Sequence, residues 1–231
     1  MVGPPTWSDA RTRLNCKRTG VRVNRWLARG EYVVGSDIGQ MKAVLGGELG
    51  LPENYELTTV DVPQPGPGDV QIRVGVSGMG YVDALVSRGL YQVKPDVPYC
   101  PGLEFSGTVV AVGDQVKGIV VGDKVAASAF GGGLAEYAVV PASSAICIPH
   151  SFDMLAAAGF IVNYTTAWHG LLDRGQLRSG ETVLVLGAAG GTGIAAIQIA
   201  RMAGARVIAG ASTEEKRLYA LAHGAHDSID Y

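Results

Sequence analysis

The chain of 231 residues is poor in cysteine, with only Cys16, Cys100 and Cys147, an odd and scattered trio that forms no CxxC pair. That excludes a disulfide-framed scaffold and fits a reducing compartment, for which the cytoplasm is the expectation. Charge of either sign is also in short supply: charged residues make up 17% of the sequence and the net charge is −2. A nucleic-acid partner is therefore not expected. No apolar run approaches the roughly 20 residues needed to cross a bilayer, so no membrane partner is expected either. Histidines are few, and His169, His223 and His226 lie on or near helical stretches without ligand spacing, so no metal is expected. What the chain does have is apolar content, 47%, enough for a sizeable globular core.

Residues 1–40 differ from the rest. Arg11, Arg13, Lys17, Arg18, Arg22, Arg25 and Arg29 face only Asp9, Glu31 and Asp37, and apolar periodicity is missing. The expectation is an unstructured N-terminal extension, dispensable for folding. A mitochondrial transit peptide is the alternative, against which the segment is not serine-rich. Met41 opens a strand-like MKAVLGG, and up to about Ser143 the chain reads as short strands and turns. In Val70–Val76 the alternation predicts Val70, Ile72 and Val74 on a core, with Gln71 and Arg73 in water. Gly113-Asp114 and Gly122-Asp123 mark turns at the spacing of a small barrel. A helical piece from Tyr81 to Arg88 stops at Gly89, and Ser151 to Leu172 reads as one helix.

The most informative stretch is TVLVLGAAGGTG, Thr182 to Gly193. Its first five residues suit a strand buried on both faces. The helix that follows is marked by Ile194, Ile197, Ile199 and Met202 and stopped by Gly204. Strand, glycine-rich turn and helix form the context of a dinucleotide-binding fingerprint, in which bare backbone approaches a pyrophosphate at a helix N-terminus. The loop is AxGxxG: Ala188 stands at the first glycine position, and Gly190 and Gly193 keep the other two. Ala188, Ala189, Gly190, Gly191, Thr192 and Gly193 are thus candidate cofactor-binding residues. RVIAGAS, TEEKRLYALAHG and HDSIDY then supply a second strand, a second helix and a third strand.

The series GLYQVKPDVPYCPGLEFSGTVVAVGDQV, GDKV, NYTTAWHGLL and AAGGTG, in that order, resembles the medium-chain dehydrogenase/reductase superfamily, and within it the zinc-free NADPH:quinone oxidoreductases of the zeta-crystallin type. The resemblance implies an α/β plus β fold. A GroES-like β-barrel domain (41–165) would precede a Rossmann NADP-binding domain (166–231), the active site lying in the cleft between them. It also implies a homodimer at full length. Zinc-using relatives carry ligands at the positions of Gly80, Leu103 and Val162, none of which can bind zinc here, and Glu104 is left as a structural carboxylate. The implied chemistry is hydride transfer from NADPH to a quinone. An enone or other activated alkene is the alternative acceptor, and a non-catalytic nucleotide-binding role is the alternative outside enzymology.

By the same resemblance Thr166 lies beside the nicotinamide and Tyr81 and Tyr91 line the cleft. Thr166 could equally be bonded to its own helix, and the tyrosines could be core. Gly80 replaces an Asn found in many quinone reductases. NADP is favoured over NAD because Ala209-Gly210-Ala211-Ser212 lacks the carboxylate that would hold ribose hydroxyls and repel a 2′-phosphate. Ser212 and Lys216 are candidates for that phosphate, with Tyr231 implied by the resemblance. Ser212 with Glu215 would also make a capping box. The third strand begins just before Tyr231, so the expectation is the first half of a doubly wound sheet, a truncated Rossmann domain with an unpaired first strand, prone to associate and weak in turnover.

Overall fold

A computed structural model of the protein describes residues 39–149 and 151–231. The expected extension lies outside the described residues, save Gly39 and Gln40, and Gln40 already opens the first strand.

Strand β1 (Gln40–Gly46) pairs antiparallel with β2 (Tyr55–Asp61). Strands β3 (Asp69–Gly78), β4 (Glu104–Val112), β5 (Lys124–Ser128), β6 (Tyr137–Pro141) and β7 (Ala145–Cys147) form a five-stranded antiparallel sheet in the order β6-β3-β4-β5-β7. These ladders are two open sheets joined by single bridges, Ala43 to Ala135 and Gly46 to Tyr99. Val70, Ile72, Phe105, Val109, Val125 and Val140 fill the core of the larger sheet. Each such side chain contributes roughly 1.5–3 kcal/mol by leaving water. Gln71 departs from the alternation rule: it is buried, because the Pro63 carbonyl folds over it and accepts from its amide. Arg73 is exposed, as expected.

Helix α1 (Tyr81–Ser87) follows β3, and Gly89 ends it at a φ of 67°. The expected single helix from Ser151 is interrupted. Helix α2 (Met154–Ala158) is capped by Asp153, stops at Gly159, and gives way to α3 (Ile161–Trp168) and a wider π-helical turn, His169–Arg174. The break lets α2 lie on β3 and β4 while α3 packs on the next helix. Ser106, fully buried in β4, fastens α2 by donating to the Met154 carbonyl at 2.7 Å.

The C-terminal part is a parallel sheet in the order β10-β9-β8: β8 (Thr182–Val185), β9 (Arg206–Gly210) and β10 (Asp227–Ile229). Helices α4 (Gly191–Met202) and α5 (Glu214–Ala222) make the crossovers. Val185, Ala188, Ile197, Val207, Ala209 and Ala220 form their shared core. Two expectations need correction. Strand β8 is not buried on both faces: only β9 pairs with it among the described strands, and Leu184 and Leu186 are exposed. Met202 is exposed too, since the face of α4 that meets the sheet is carried by Ala195, Ile197, Ile199 and Ala200.

Candidate functional site

The glycine-rich loop leaves β8 at Gly187, whose φ of +63° is a left-handed conformation that costs glycine nothing. Gly193 has a structural duty: a Cβ there would lie 2.4 Å from the Gly187 carbonyl oxygen and 2.8 Å from Ala188 Cα. Helix α4 can sit this close to the loop only because that atom is missing. Gly190 is different, since a Cβ would meet nothing nearer than the Gly187 oxygen at 3.4 Å. No side chain caps α4, whose N-cap residue is Gly190. Gly187, Gly190, Gly191, Thr192 and Gly193 line a cavity of about 560 Å³ with Met79, Tyr81 and Asn163. Bare backbone and an uncapped helix start at an open cavity fit the pyrophosphate of a dinucleotide. Ala188 is fully buried in the core below the loop, so it supports the turn rather than facing the cavity.

A second cavity of about 630 Å³ adjoins the first and brings together Tyr81, Tyr91 and Thr166 with Asp83, Glu104 and Asn163. Tyr81 is largely exposed and Tyr91 half-buried, so Tyr81 is not a core residue. In α3 it is Thr165 whose hydroxyl bonds back to its own helix, at Ile161, while Thr166 lines the cavity. Helix α3 is held from both sides. The Val162 N–H donates to Glu104 Oε2 at 3.0 Å. The Tyr164 hydroxyl donates to Gln198 of α4, and Ala167 packs against Ala195 and Ile199.

Two carboxylates sit at the base of this second cavity. Asp83, buried, accepts from the Gly80 N–H and the Leu103 N–H, each at 2.8 Å, and so locks the start of α1 to the segment before β4. Glu104 is buried as well, and burial pushes its carboxyl above the usual range. The neighbouring Asp83 charge adds to this, and the Val162 N–H opposes it. Sequence reasoning passed over Asp83 and Asn163. Asp83 stands three residues after Gly80, the spacing of a helix-start carboxylate, and Asn163 stands one turn before Thr166.

The expected phosphate pocket is less assembled. Ser212 and Lys216 are exposed near the start of α5. The cap of α5 is Thr213, whose Oγ1 accepts from the Lys216 N–H at 3.3 Å, so the expected capping by Ser212 is not formed. The shift by one residue follows from the extended backbone of Thr213. The Tyr231 hydroxyl accepts from the Gly187 N–H at 3.0 Å, which places this ring across the base of the glycine loop.

Residues 66–150 match the alcohol dehydrogenase GroES-like domain. The quinone oxidoreductase of Lama guanicoe is 39% identical over 193 residues, 83% of this chain and 58% of its own. That of Homo sapiens is 37% identical, with 83% and 59% covered. Among solved structures, the quinone oxidoreductase of Thermus thermophilus, determined also in complex with NADPH, superposes with a TM-score of 0.74 at 38% identity, over 83% of this chain and 60% of that one. The chain belongs to the medium-chain dehydrogenase/reductase family, of the quinone oxidoreductase type. It spans about three fifths of the length of the curated relatives it matches, 58% and 59%.

Family membership makes one placement informative. Gly80, Leu103 and Val162, the positions of zinc ligands in other members, do converge on the wall of the second cavity. None offers a donor atom on its side chain. Among the described residues, no group of three His, Cys, Asp or Glu side chains could hold a metal ion. No helix among them is long and apolar enough to cross a membrane.

Proposed function

We propose that the protein is an NADPH-dependent oxidoreductase that passes a hydride to a quinone. The observation supporting this is the adjacency of the two cavities, since Gly80, Tyr81, Asn163 and Thr192 line both. A donor seated over the glycine loop would reach an acceptor seated against the tyrosines without leaving the cleft.

NADPH, when bound, supplies a transferable hydride, and the protein's part is position and exclusion of water. The N–H groups at the start of α4, with Gly190 and Gly191, would hold the pyrophosphate. Ser212, Lys216 and Tyr231 would take the 2′-phosphate. Lys216 forms no ion pair among the described residues, which leaves its charge available. Thr166 would border the nicotinamide, while Tyr81 and Tyr91 wall the acceptor. We read residues 41–165 as the GroES-like unit and 166–231 as the nucleotide-binding unit, with α3 running across the boundary.

The test is NADPH oxidation by the full chain with a quinone and an enone assayed in parallel. Quinone-dependent oxidation is the expected result. Preference for the enone would move the protein to alkene reduction. Tight NADPH binding with neither acceptor turned over would make it a nucleotide-binding protein without catalysis.

A further inference from the structure

Reduction of a quinone by hydride leaves an oxyanion that must gain a proton, so the acceptor cavity has to contain an acid. Its walls hold no Lys, Arg or His. The groups on them that carry an exchangeable proton on oxygen are hydroxyls and phenols, Ser128, Ser144, Thr166, Thr192, Tyr81 and Tyr91, together with the carboxyls of Asp83 and Glu104. The two carboxyls have unlike surroundings. Asp83 spends both its oxygens on backbone N–H groups, Gly80 and Leu103, each at 2.8 Å. Glu104 receives a side-chain-to-backbone bond at Oε2 alone, from Val162 at 3.0 Å, and is buried beside the Asp83 charge. Two carboxyls whose environments pull them apart in this way divide into an ionised member and a proton-holding one.

We infer that Glu104 is the general acid of the site, donating its carboxyl proton to the acceptor as the hydride arrives. This rests on the reading of the protein as an NADPH-dependent quinone reductase. The quinone takes two electrons with the hydride and becomes a hydroquinone monoanion, and the cofactor is left oxidised. The O–H bond of Glu104 breaks, a new O–H bond forms on the hydroquinone oxygen, and Glu104 is left as a carboxylate. Water entering the open cavity returns the proton.

The surroundings of Glu104 favour the protonated acid. From α1 it faces Asp83, and Tyr81 and Tyr91 share the cavity wall. The other elements against it present Gly78 from β3, Ser128 from β5, Ala158 through its contact with Gly78, and Val162 from α3, none of which titrates in the working range. Burial is the larger influence on the carboxyl and the Asp83 charge acts in the same direction. The acid is therefore present up to a pH above the ordinary carboxylate range, and activity should fall as pH rises through that point.

The experiment compares the full chain with Glu104→Gln and Glu104→Asp. Glutamine still offers an oxygen to the Val162 N–H but has no acid, and aspartate keeps the acid on a shorter arm. Thermal melts check folding and calorimetric titration of NADPH checks cofactor affinity. Infrared difference spectra of the carboxyl stretch across a pH series follow Glu104 directly. The expected result is a kcat lowered about 100-fold in Glu104→Gln. Its NADPH affinity should be unchanged, and it should lose both the descending pH limb and the solvent deuterium effect. In Glu104→Asp the limb should persist at intermediate kcat. The protonated carboxyl band should persist above the ordinary range in the parent and be missing in Glu104→Gln. A parent that turns over quinone while Glu104→Gln keeps the limb overturns the acid role and leaves the reductase reading intact. A parent that binds NADPH without any turnover overturns both. A Glu104 band that titrates within the ordinary carboxylate range overturns the proton-holding assignment by itself.

Discussion

The Thr192 hydroxyl donates to Asn163 Oδ1 at 3.0 Å, and this bond joins the glycine-rich loop to the helix that borders the acceptor cavity. A Cβ on Gly191 would lie 2.9 Å from the same Asn163 amide, so the side chain fills the gap where the two cavities meet. Its Nδ2 also donates to the Gly159 carbonyl at 3.3 Å, at the break between α2 and α3. Glu104 fixes the neighbouring residue, Val162, from the other side. The relative placement of cofactor loop and acceptor wall thus depends on a short run of α3.

Asn163→Ala should leave the fold intact and weaken NADPH binding. One hydrogen bond to the loop is lost, worth about 1 kcal/mol, or roughly a fivefold rise in Kd. Calorimetric titration measures it. An unchanged Kd would show that the loop holds its place without α3.

The loop glycines should separate into two kinds. Gly193→Ala sets a methyl 2.4 Å from a backbone oxygen that cannot swing aside, so a loss of about 1–3 kcal/mol is expected, read as a lower Tm. Gly190→Ala has room, with its nearest neighbour at 3.4 Å, and should leave Tm within a degree or two while weakening NADPH binding. Equal effects of the two on Tm would contradict the division.

Lys216→Glu should discriminate between cofactors. A charge-assisted contact to a 2′-phosphate would be replaced by repulsion, so NADPH binding should weaken by on the order of tenfold or more. NADH binding should change little. Parallel loss for both would remove Lys216 from the phosphate pocket.

Tyr99→Phe should stabilise the protein or leave it unchanged. The Tyr99 hydroxyl is buried with no hydrogen-bond partner among the described residues, and its ring packs on Val86 and Leu103. Removing an unpaired buried hydroxyl recovers a desolvation cost of roughly 1–3 kcal/mol. A marked fall in Tm would mean that the hydroxyl has a partner.

Much of this was legible in the sequence because it is local. Strand, glycine turn and helix around Gly187–Gly193 follow from residue types alone, as do α1 ending at Gly89 and the β9–α5–β10 unit. Short-range periodicity and the conformational range of glycine dictate them. What depended on distant residues could not be read the same way. Gln71 obeys strand alternation and is nevertheless buried, because Pro63 covers it. Leu184 looks like a buried strand residue and is exposed, because burial of a strand is a property of its neighbours in the sheet. Asp83 and Glu104 stand 21 positions apart, and only the packing of α1 beside β4 makes one carboxylate the charge that the other must face. Sequence determined which groups are available for chemistry. Tertiary structure decided which are dry, which are paired and which meet, since burial and Coulomb interaction act through space and take no account of distance along the chain.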